Sequence, residues 1–449
     1  MKEKKLEKTS KENKEKEVTE PVKKVPQTPQ TLRGMKDILP ADQGYWWLVF
    51  DKVRSLAKTY GFEKIDTPLL EESGLFVRSV GKDTDIVEKE MYIFEDLDGQ
   101  KLALRPEATA SIMRAYLNHG MWNLPQPIKA WYFGPMFRHE RPQSGRYRQF
   151  HQFGFEILGE AGPVADALII MIAYNFYAEM GVNASIQINS LGCPVCRENY
   201  KNELTQYYKT NRSKICESCK KRLVKNPLRL LDCKEPGCLP IKETAPQMIE
   251  FLCDDCKTHF MSVLEFLDEL GLPYFLNHNL VRGLDYYTRT VFEIYSTGDD
   301  EGSQAALGGG GRYDLLSEVL GGKPTPACGF AHGVERAIAK VKEAGQVVPE
   351  TIKADIFIAQ LGEQARRKAF TLFEKFRHTG VKVAESFCRS SLRGQLEQAD
   401  KLGARYALIV GQKEVQDGSV IIRDMESGVQ EMVDFNKAVA EIQKKLLLI

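Results

Sequence analysis

Residues 137–152, FRHERPQSGRYRQFHQ, combine four arginines and two histidines with a single acid, Glu140. Arginine presents a planar fork of donors that matches phosphate oxygens, and an aromatic face can stack on a nucleobase. Tyr147 and Phe150 are interleaved with the positive charges. The stretch indicates either a nucleotide site or a solvated basic hairpin. The residues of other segments distinguish these two interpretations.

Two segments place polar side chains where a sheet is expected to be packed. In QFHQFGFE, Gln152 and Glu156 lie at even spacing from Phe150, which puts all three on one face of a strand. Because unpaired buried polar groups are costly, this row indicates a binding site. In LRPEAT, Glu107 and Thr109 stand at a strand-to-helix junction, where the helix dipole alone can also favour an acid.

Two later segments place arginines beside glycine. VRGLDYYTRTVFEIY contains Arg282, Tyr286 and Tyr287 before it continues into a strand. GFAHGVER ends a strand and opens a helix that carries Arg336, which indicates an anion site at the helix start or a plain surface helix. The glycine run in ALGGGGRYD would let a ligand approach the backbone closely, although a flexible turn has the same composition.

Together these residues suit a substrate set with an amino acid and a triphosphate. Acids and amide oxygens can receive an ammonium or a protonated ring, arginines can hold phosphates, and Phe150 can cover a purine. The set predicts adenylate formation, in which the substrate carboxylate is the nucleophile and catalysis is positioning plus charge stabilisation at the α-phosphate. ATP would bind without a GxxxxGK[ST] loop, since none occurs, and Mg²⁺ is expected to bridge phosphate oxygens.

The periodicity of the chain predicts the elements that position these residues. YWWLVFDKVRSLAKTYG predicts a helix ending at Gly61, and residues 91–110 predict a hairpin with a helix starting near Pro106. Alternating runs on both sides make 137–152 the loop of a long antiparallel hairpin. NASIQINSLG and TVFEIY predict further strands. From about Lys353, four strands alternate with helical stretches, which is typical of a small α/β domain.

The predicted fold class is therefore α+β, mostly antiparallel, followed by an α/β domain. We expect a disordered Lys/Glu-rich tail at 1–30, a catalytic domain at 31–345 with a Cys-rich insertion at about 193–262, and the α/β domain at 353–449. A net charge of +1 means that anionic ligands must be met by local patches. With no leader-like or membrane-length apolar run, we expect a cytoplasmic protein and no membrane.

Eight of the ten cysteines occur in the runs CPVC, CESC, CKEPGC and CDDC. This spacing is typical of structural zinc, and cytosolic cysteines are metal ligands or free thiols before they are disulfides. The candidate ligands are Cys193, Cys196, Cys216, Cys219, Cys233, Cys238, Cys253 and Cys256. They permit two four-cysteine sites or one site with an incomplete second, and reduced thiols lining a small insertion are the alternative. Cys328 and Cys388 are expected to be ordinary buried thiols.

From LRGMKDILP at residue 32 to the C-terminus, the chain resembles the bacterial histidyl-tRNA synthetases, a family of class II aminoacyl-tRNA synthetases. GFEKIDTPLLEESGLF resembles motif 1, the dimer-forming element, with its proline at Pro68. MFRHERPQSGRYRQFHQFGFE resembles motif 2, and GFAHGVERAI resembles motif 3. VRGLDYYTRT and GGGGRYD resemble the two histidine-specific segments. Residues 353–449 resemble the anticodon-binding module of that family.

The resemblance implies a histidine–tRNA ligase that acts on L-histidine, ATP and histidine tRNA and works as a homodimer. It implies that Arg138 holds the α-phosphate and that Arg282 assists it. It implies an ATP site of Arg138, Glu140, Phe150 and Arg336. The residues implied around histidine are Glu107, Thr109, Gln152, Glu156, Arg282, Tyr286, Tyr287 and Tyr313. The residues implied at the acceptor end of the tRNA, with its extra 5′ guanosine, are Arg141, Gln143 and Arg148.

Two other interpretations lead to different functions. A synthetase-like paralogue that binds histidine and regulates another enzyme typically lacks the RGLDYY arginine or the C-terminal domain, and both are present here. A zinc-ribbon RNA-binding protein without chemistry would not need the cradle of Glu107, Gln152 and Glu156. His332, inside motif 3, is interpreted as a structural histidine.

Overall fold

The computed structural model describes residues 28–82, 84–142, 145–297, 306–348 and 354–447. The tail expected at 1–30 lies outside the described residues except for its last three, which are exposed and belong to no helix or strand. Within the described ranges, no helix is long and apolar enough to cross a membrane. The domain boundaries inferred from the sequence stay predictions.

The strands of the described chain run in the following order. They are β1 Glu63–Lys64, β2 Leu70–Glu72, β3 Ile93–Glu95, β4 Lys101–Leu104, β5 Ile128–Phe137, β6 Gln149–Leu158, β7 Ala184–Ser190, β8 Tyr274–Leu276, β9 Thr288–Ser296, β10 Gly308–Arg312, β11 Ala327–Gly333, β12 Ile356–Gln360, β13 Val383–Glu385, β14 Tyr406–Val410, β15 Ser419–Asp424 and β16 Gln430–Asp434.

The α-helices are interspersed among these strands. They are α1 Gln43–Tyr60, α2 Ser73–Val80, α3 Thr109–Asn118, α4 Pro163–Glu179, α5 Pro194–Thr210, α6 Glu217–Lys225, α7 Leu239–Glu243, α8 Asp254–Glu269, α9 Leu316–Val319, α10 Val334–Glu343, α11 Glu363–Lys375, α12 Leu392–Lys401, α13 Gln412–Asp417 and α14 Ala438–Leu447. The first helix ends at Gly61 as predicted, with Gly61 in the left-handed conformation.

A large sheet of eight strands forms the centre of the fold, in the order β1-β5-β6-β11-β10-β9-β7-β8. Its six central strands pair antiparallel, and the short outer strands β1 and β8 pair parallel. The long hairpin predicted around the arginine-rich stretch is confirmed as β5 and β6, with 138–148 as its connection. The hairpin predicted at 91–110 is also present as β3 and β4, although the helix after it begins at Thr109.

Helix α4 fixes one face of this sheet. It begins with a proline in its first turn and is apolar on most of its surface, and nine of its 17 residues are buried. Ile169, Ile172 and Phe176 join the core that contains Phe153 of β6 and Phe330 of β11. With one face of the sheet closed by a packed helix layer, polar residues that project from these strands elsewhere must find partners or face a cavity.

The segment between β7 and β8 holds helices α5 to α8 and a second hydrophobic core. This core contains Tyr200, Leu204 and Leu230 together with five of the cysteines. The insertion therefore has packing of its own, beyond what the cysteines would supply. It leaves β7 and returns to β8 on the same edge of the large sheet.

The C-terminal region forms a separate five-stranded sheet in the order β13-β12-β14-β15-β16. The four predicted strands are confirmed, with parallel pairing on both sides of β12. The fifth strand, β16, was not predicted because it is an edge strand that is largely exposed and carries little apolar alternation. The mixed α/β character predicted for this region is confirmed.

Candidate active site

The row of polar residues on β6 lies beside the glycines of β11, the neighbouring strand, and these glycines leave space for the polar side chains. The register places Glu156 beside Gly329 and Gln152 beside Gly333. A Cβ atom at Gly329 would lie 1.6 Å from Oε2 of Glu156. Only glycine therefore leaves room for the Glu156 carboxyl, which is the close approach that glycine in a strand often marks.

The predicted site segments meet at one cavity of about 510 Å³ above the centre of the large sheet. Ten of the residues predicted for histidine and ATP line it, namely Glu107, Thr109, Arg138, Glu140, Phe150, Gln152, Arg282, Tyr286, Tyr287 and Arg336. The glycine strand β10 forms part of its wall. A groove of about 1140 Å³ elsewhere is larger, but it contains none of these side chains.

Glu156 and Tyr313 lie directly behind the cavity wall. The hydroxyls of Thr109 and Tyr313 hydrogen-bond the two oxygens of the Glu156 carboxyl, at 2.7 and 2.5 Å. Burial raises the pKa of Glu156 to about 8, with the two hydroxyls opposing that rise and the nearby Glu107 carboxyl adding to it. Burial therefore favours the protonated form of the Glu156 carboxyl at neutral pH.

Glu107 occupies the start of α3 and faces the cavity at the same time. Its carboxylate accepts hydrogen bonds from the backbone N–H groups of Thr109, at 2.7 Å, and Ala110, at 3.1 Å. Glu107 is therefore both an acid at the start of a helix and a residue of the pocket. Burial raises the pKa of Glu107, and the two backbone hydrogen bonds oppose the rise.

Several polar atoms around the cavity are buried without a partner. Among the described residues, Gln152 Oε1, Tyr132 Oη and Arg282 Nε have no hydrogen-bond partner. Leaving such groups unpaired costs about 1–3 kcal/mol each, so native structures usually pair them with protein, water or ligand. An acceptor, a hydroxyl and a guanidinium donor are thus available to a bound polar molecule.

Two arginines approach the cavity from opposite sides, each over an aromatic ring. The Arg138 guanidinium lies 5.3 Å from the ring centre of Phe150 and donates from Nε to the carbonyl of Pro106 at 2.9 Å. The Arg282 guanidinium lies 5.5 Å from the ring centre of Tyr287 and is paired with the Glu293 carboxylate. Burial lowers the pKa of Arg282, but Glu293 together with Tyr287 and Tyr286 outweighs burial, and the net shift is upward.

The third arginine, Arg336, is held at the start of α10. Its Nε donates to the carbonyl of Gly145 at 3.2 Å, which ties the helix to the β5–β6 connection. The neighbouring Glu335 accepts from the backbone N–H of His151 at 2.9 Å and contacts its ring Nδ1 at 3.1 Å. Burial lowers the pKa of Arg336.

Two of the residues predicted at the tRNA acceptor end, Arg141 and Arg148, do not line the cavity. Arg141 is exposed. Arg148 is half-buried, and its backbone N–H donates to the carbonyl of Gly34 at 2.7 Å. Gln143 lies outside the described residues. Contact of these three with RNA stays a prediction.

The eight cysteines of the insertion form two separate groups of four. The proximal cluster joins the two ends of the insertion and consists of Cys193, Cys196, Cys253 and Cys256. The distal cluster lies within the insertion and consists of Cys216, Cys219, Cys233 and Cys238. In each cluster all four Sγ atoms lie within 4.8 Å of one another, and all ten cysteines of the chain are free thiols.

These separations fit a metal ion. Tetrahedral zinc with bonds of about 2.3 Å holds its sulfurs about 3.8 Å apart. The Cys193–Cys196 and Cys216–Cys233 sulfurs are 3.5 and 3.9 Å apart. Outside the insertion, Cys328 is buried as expected, whereas the prediction for Cys388 is wrong because its side chain is exposed.

Comparison with known proteins identifies the family. The family model described as "Histidyl-tRNA synthetase" matches residues 34–194 and 250–337, and the model "Anticodon binding domain" matches 355–445. A histidine–tRNA ligase of Dehalococcoides mccartyi is 47% identical over 92% of this chain and 99% of its own length. The chain belongs to the histidyl-tRNA synthetase family.

Two further similarities support this membership. A histidine–tRNA ligase of Pelotomaculum thermopropionicum is 43% identical over 92% of this chain and 97% of its own length. The crystal structure of apo S. aureus histidyl-tRNA synthetase superposes with a TM-score of 0.77 at 34% identity, covering 93% of this chain and all of that one. The synthetase family model passes over residues 195–249, which contain five of the eight clustered cysteines.

Within this synthetase fold, sequence reasoning missed several residues that reach the cavity. Glu293, which pairs with Arg282, is the one acid of β9 and stands within the apolar run VFEIY, and that signal could have identified it. Arg229, Asp232 and Lys234 of the insertion also line the cavity. They could not have been found from the sequence, because nothing in their spacing shows that the insertion folds back over the sheet.

Proposed function

We propose that this chain activates L-histidine with ATP and transfers the histidyl group to the 3′ end of histidine tRNA. The observation that carries the proposal is that one cavity joins an acidic and hydroxyl-rich cradle to three buried or half-buried arginines. A cradle of this kind suits the ammonium and imidazole of histidine, and the arginines suit a triphosphate. The family membership agrees with this chemistry.

In the first step the histidine carboxylate would attack the α-phosphorus of ATP. A carboxylate oxygen–phosphorus bond forms, the bond from that phosphorus to the β-phosphate bridging oxygen breaks, and pyrophosphate leaves. Arg138 and Arg282 stand where charge would develop, and their guanidinium groups would stabilise it. The carboxylate is already a nucleophile at neutral pH, so no side chain has to remove a proton.

In the second step a hydroxyl of the terminal ribose of the tRNA would attack the carbonyl carbon of the adenylate, and AMP would leave. Glu140, Phe150 and Arg336 line the cavity beside Arg138, which supports their assignment to ATP. Phe150 offers a flat face to the purine. Glu107, Thr109, Gln152, Tyr286 and Tyr287 would contact histidine, with Glu156 and Tyr313 fixing Thr109 from behind.

Mg²⁺ would neutralise the triphosphate and hold its oxygens in place for the attack. Glu140 and Glu335 both present carboxylates to the cavity near the arginines, and oxygen ligands of this kind suit the ion. Glu140 lies 3.2 Å from Arg146 and 4.0 Å from Arg138, so it also orients the two guanidinium groups.

We also propose structural zinc at both cysteine clusters, where it would hold the insertion together. Four thiolates suit zinc over Mg²⁺ and Ca²⁺, which prefer oxygen ligands, and the sulfur separations match zinc. Metal analysis of protein purified under reducing conditions should give about two zinc ions per chain. Less than half an equivalent in protein grown with ample zinc would contradict the assignment.

A homodimer is proposed from the motif 1 region. The three-stranded sheet of β2, β3 and β4 carries apolar side chains that are over 40% exposed, at Leu69, Leu70, Ile93 and Phe94. A second copy of the chain would cover them. Sedimentation equilibrium should return twice the mass of one chain, and a monomer at micromolar concentration would contradict the proposal.

The function is tested by ATP–pyrophosphate exchange with each of the twenty amino acids and no tRNA. We expect exchange with histidine alone. Arg138→Ala and Arg282→Ala should each lower the rate by at least about a hundredfold, because each removes charge stabilisation from the transition state. Arg393→Ala, on an exposed face of α12, is the matched control. No exchange with any amino acid would favour the regulatory paralogue, and near-full rate in either site variant would contradict the mechanism.

A further inference from the structure

The proximal cluster stands at the junction between the insertion and the large sheet. Cys193 lies three residues after the end of β7. The backbone just before it is paired with the start of β9, through Leu191 N–H to the carbonyl of Arg289 at 2.7 Å. Cys253 and Cys256 stand at the start of α8 on the far side of the insertion. The cluster therefore ties the beginning of α5 to the beginning of α8.

Helix α5 carries a side chain from this junction to the histidine-binding segment. Arg197 lies one residue beyond Cys196, and its backbone N–H donates to the carbonyl of Cys193 at 2.9 Å. Its guanidinium Nη1 donates to the carbonyls of both Asp285 and Tyr287, each at 3.1 Å. One arginine thus bridges the cysteine cluster and the RGLDYY segment.

Side-chain contacts also hold the segment from 281 to 287, among them a hydrogen bond from Asn226 Nδ2 to the Asp285 carboxylate at 3.1 Å. This segment forms neither helix nor strand, yet it presents Arg282, Tyr286 and Tyr287 to the cavity. The hydrogen bond from Asp285 N–H to the carbonyl of Val80 is 3.0 Å long and supports its middle. In such a segment the positions of the side chains depend strongly on the bonds that fix its carbonyl groups.

We propose that the proximal cluster sets the affinity of the pocket for histidine, with Arg197 as the positioning residue. When the four thiolates share a metal ion, they fix the first turn of α5. Arg197 then holds the carbonyls of Asp285 and Tyr287, so that the tyrosines stand in the pocket. The inference rests on the proposed function, since it concerns the histidine site of the same reaction.

The test compares four full-length proteins: wild type, Arg197→Met, Cys193→Ser with Cys253→Ser, and all three changes together. Cys193 and Cys253 are the two ligands that are not fully buried, so their replacement disturbs packing least. Metal content is measured on each protein by atomic emission. The KM for histidine and the KM for ATP are measured separately by pyrophosphate exchange, and folding is checked by circular dichroism.

We expect Arg197→Met to keep the full metal content and to raise the KM for histidine on the order of tenfold, with the KM for ATP unchanged. The cysteine pair should lose one metal equivalent and raise the same KM by the same factor. The triple variant should be no worse than either parent, because both changes interrupt one connection. Cys388→Ser, an exposed thiol outside the insertion, controls for the cysteine replacement.

An unchanged KM for histidine in Arg197→Met would overturn the inference. It would also be overturned if the increase in this KM in the triple variant equalled the product of the increases in its two parents. If Arg197→Met does not fold, Arg197→Lys, which keeps the charge and can reach one carbonyl, should give an intermediate histidine KM. If the wild type gives no pyrophosphate exchange, the proposed function is contradicted. The histidine affinity of the four proteins is then compared by calorimetric binding of histidine. Equal histidine affinity in all four proteins, or none in any, would then contradict the inference.

Discussion

The protonation of Glu156 gives a prediction that can be followed without any substrate. This side chain is 1% exposed, and burial raises its pKa from the usual 4.5 to about 8. Replacing it in Glu156→Gln keeps the size and shape of the protonated acid and leaves an oxygen and an N–H group for Thr109 and Tyr313. The variant therefore removes the titration while retaining the packing.

The size of the effect on stability follows from the difference in the pKa of Glu156 between the folded and unfolded states. Because the folded protein binds this proton more tightly, the contribution to stability is complete below pH 4.5 and is lost as the pH rises toward 8. Each pH unit within that window corresponds to about 1.4 kcal/mol. Between pH 5.5 and 7.5 the wild type should lose roughly 2–3 kcal/mol relative to Glu156→Gln.

Calorimetric melting at several pH values between 5 and 8.5 measures this difference. We expect the variant to gain a few degrees in melting temperature over the wild type between pH 5.5 and 7.5. Glu318→Gln, at an exposed position on α9, should follow the wild type at every pH. A constant difference between wild type and Glu156→Gln across this range would show that the Glu156 carboxyl is already ionised in the folded protein at pH 5.5.

Three further outcomes follow from the same site. Gly329→Ala would place a methyl group 1.6 Å from Glu156 Oε2, so kcat/KM for histidine in pyrophosphate exchange should fall on the order of a hundredfold while the circular dichroism spectrum is kept. Tyr313→Phe removes the 2.5 Å hydrogen bond to Glu156 and should raise the KM for histidine roughly tenfold, with that for ATP unchanged. His332 is fully buried, and neither ring nitrogen has a hydrogen-bond partner among the described residues, so His332→Met should raise the free energy of unfolding by about 1–3 kcal/mol, measured by denaturant titration.

The strands that carry the site could be predicted because their alternation is strong. Phe150, Gln152 and Glu156 share a face of β6, and this followed from a period of two. His332 was interpreted as structural, and its ring stacks on Tyr177 in the core at 5.1 Å between ring centres, where burial lowers its pKa to about 3. Local pattern was sufficient for the β6 residues because they lie on one strand, whereas the contact of His332 with Tyr177 of α4 joins distant segments.

Contacts between distant segments could not be predicted in the same way. The pairing of Cys193 and Cys196 with Cys253 and Cys256 depends on the two ends of the insertion meeting at one sheet edge. The exposure of Cys388 depends on how the C-terminal sheet packs, which its flanking residues do not show. Sequence spacing limits the possible partners, whereas the chain path through space selects among them.

The pairing of β6 with β11 also determines when the active site can form during synthesis. Leu158 of β6 pairs with Ala327 of β11, roughly 170 residues later, so translation at 5–20 residues per second leaves that edge unpaired for on the order of ten to thirty seconds. A ten-residue strand with an open edge can pair with other chains. Rapid overexpression should therefore cause nascent chains to aggregate through the unpaired edge of β6. Surfaces of the folded protein should not cause this aggregation.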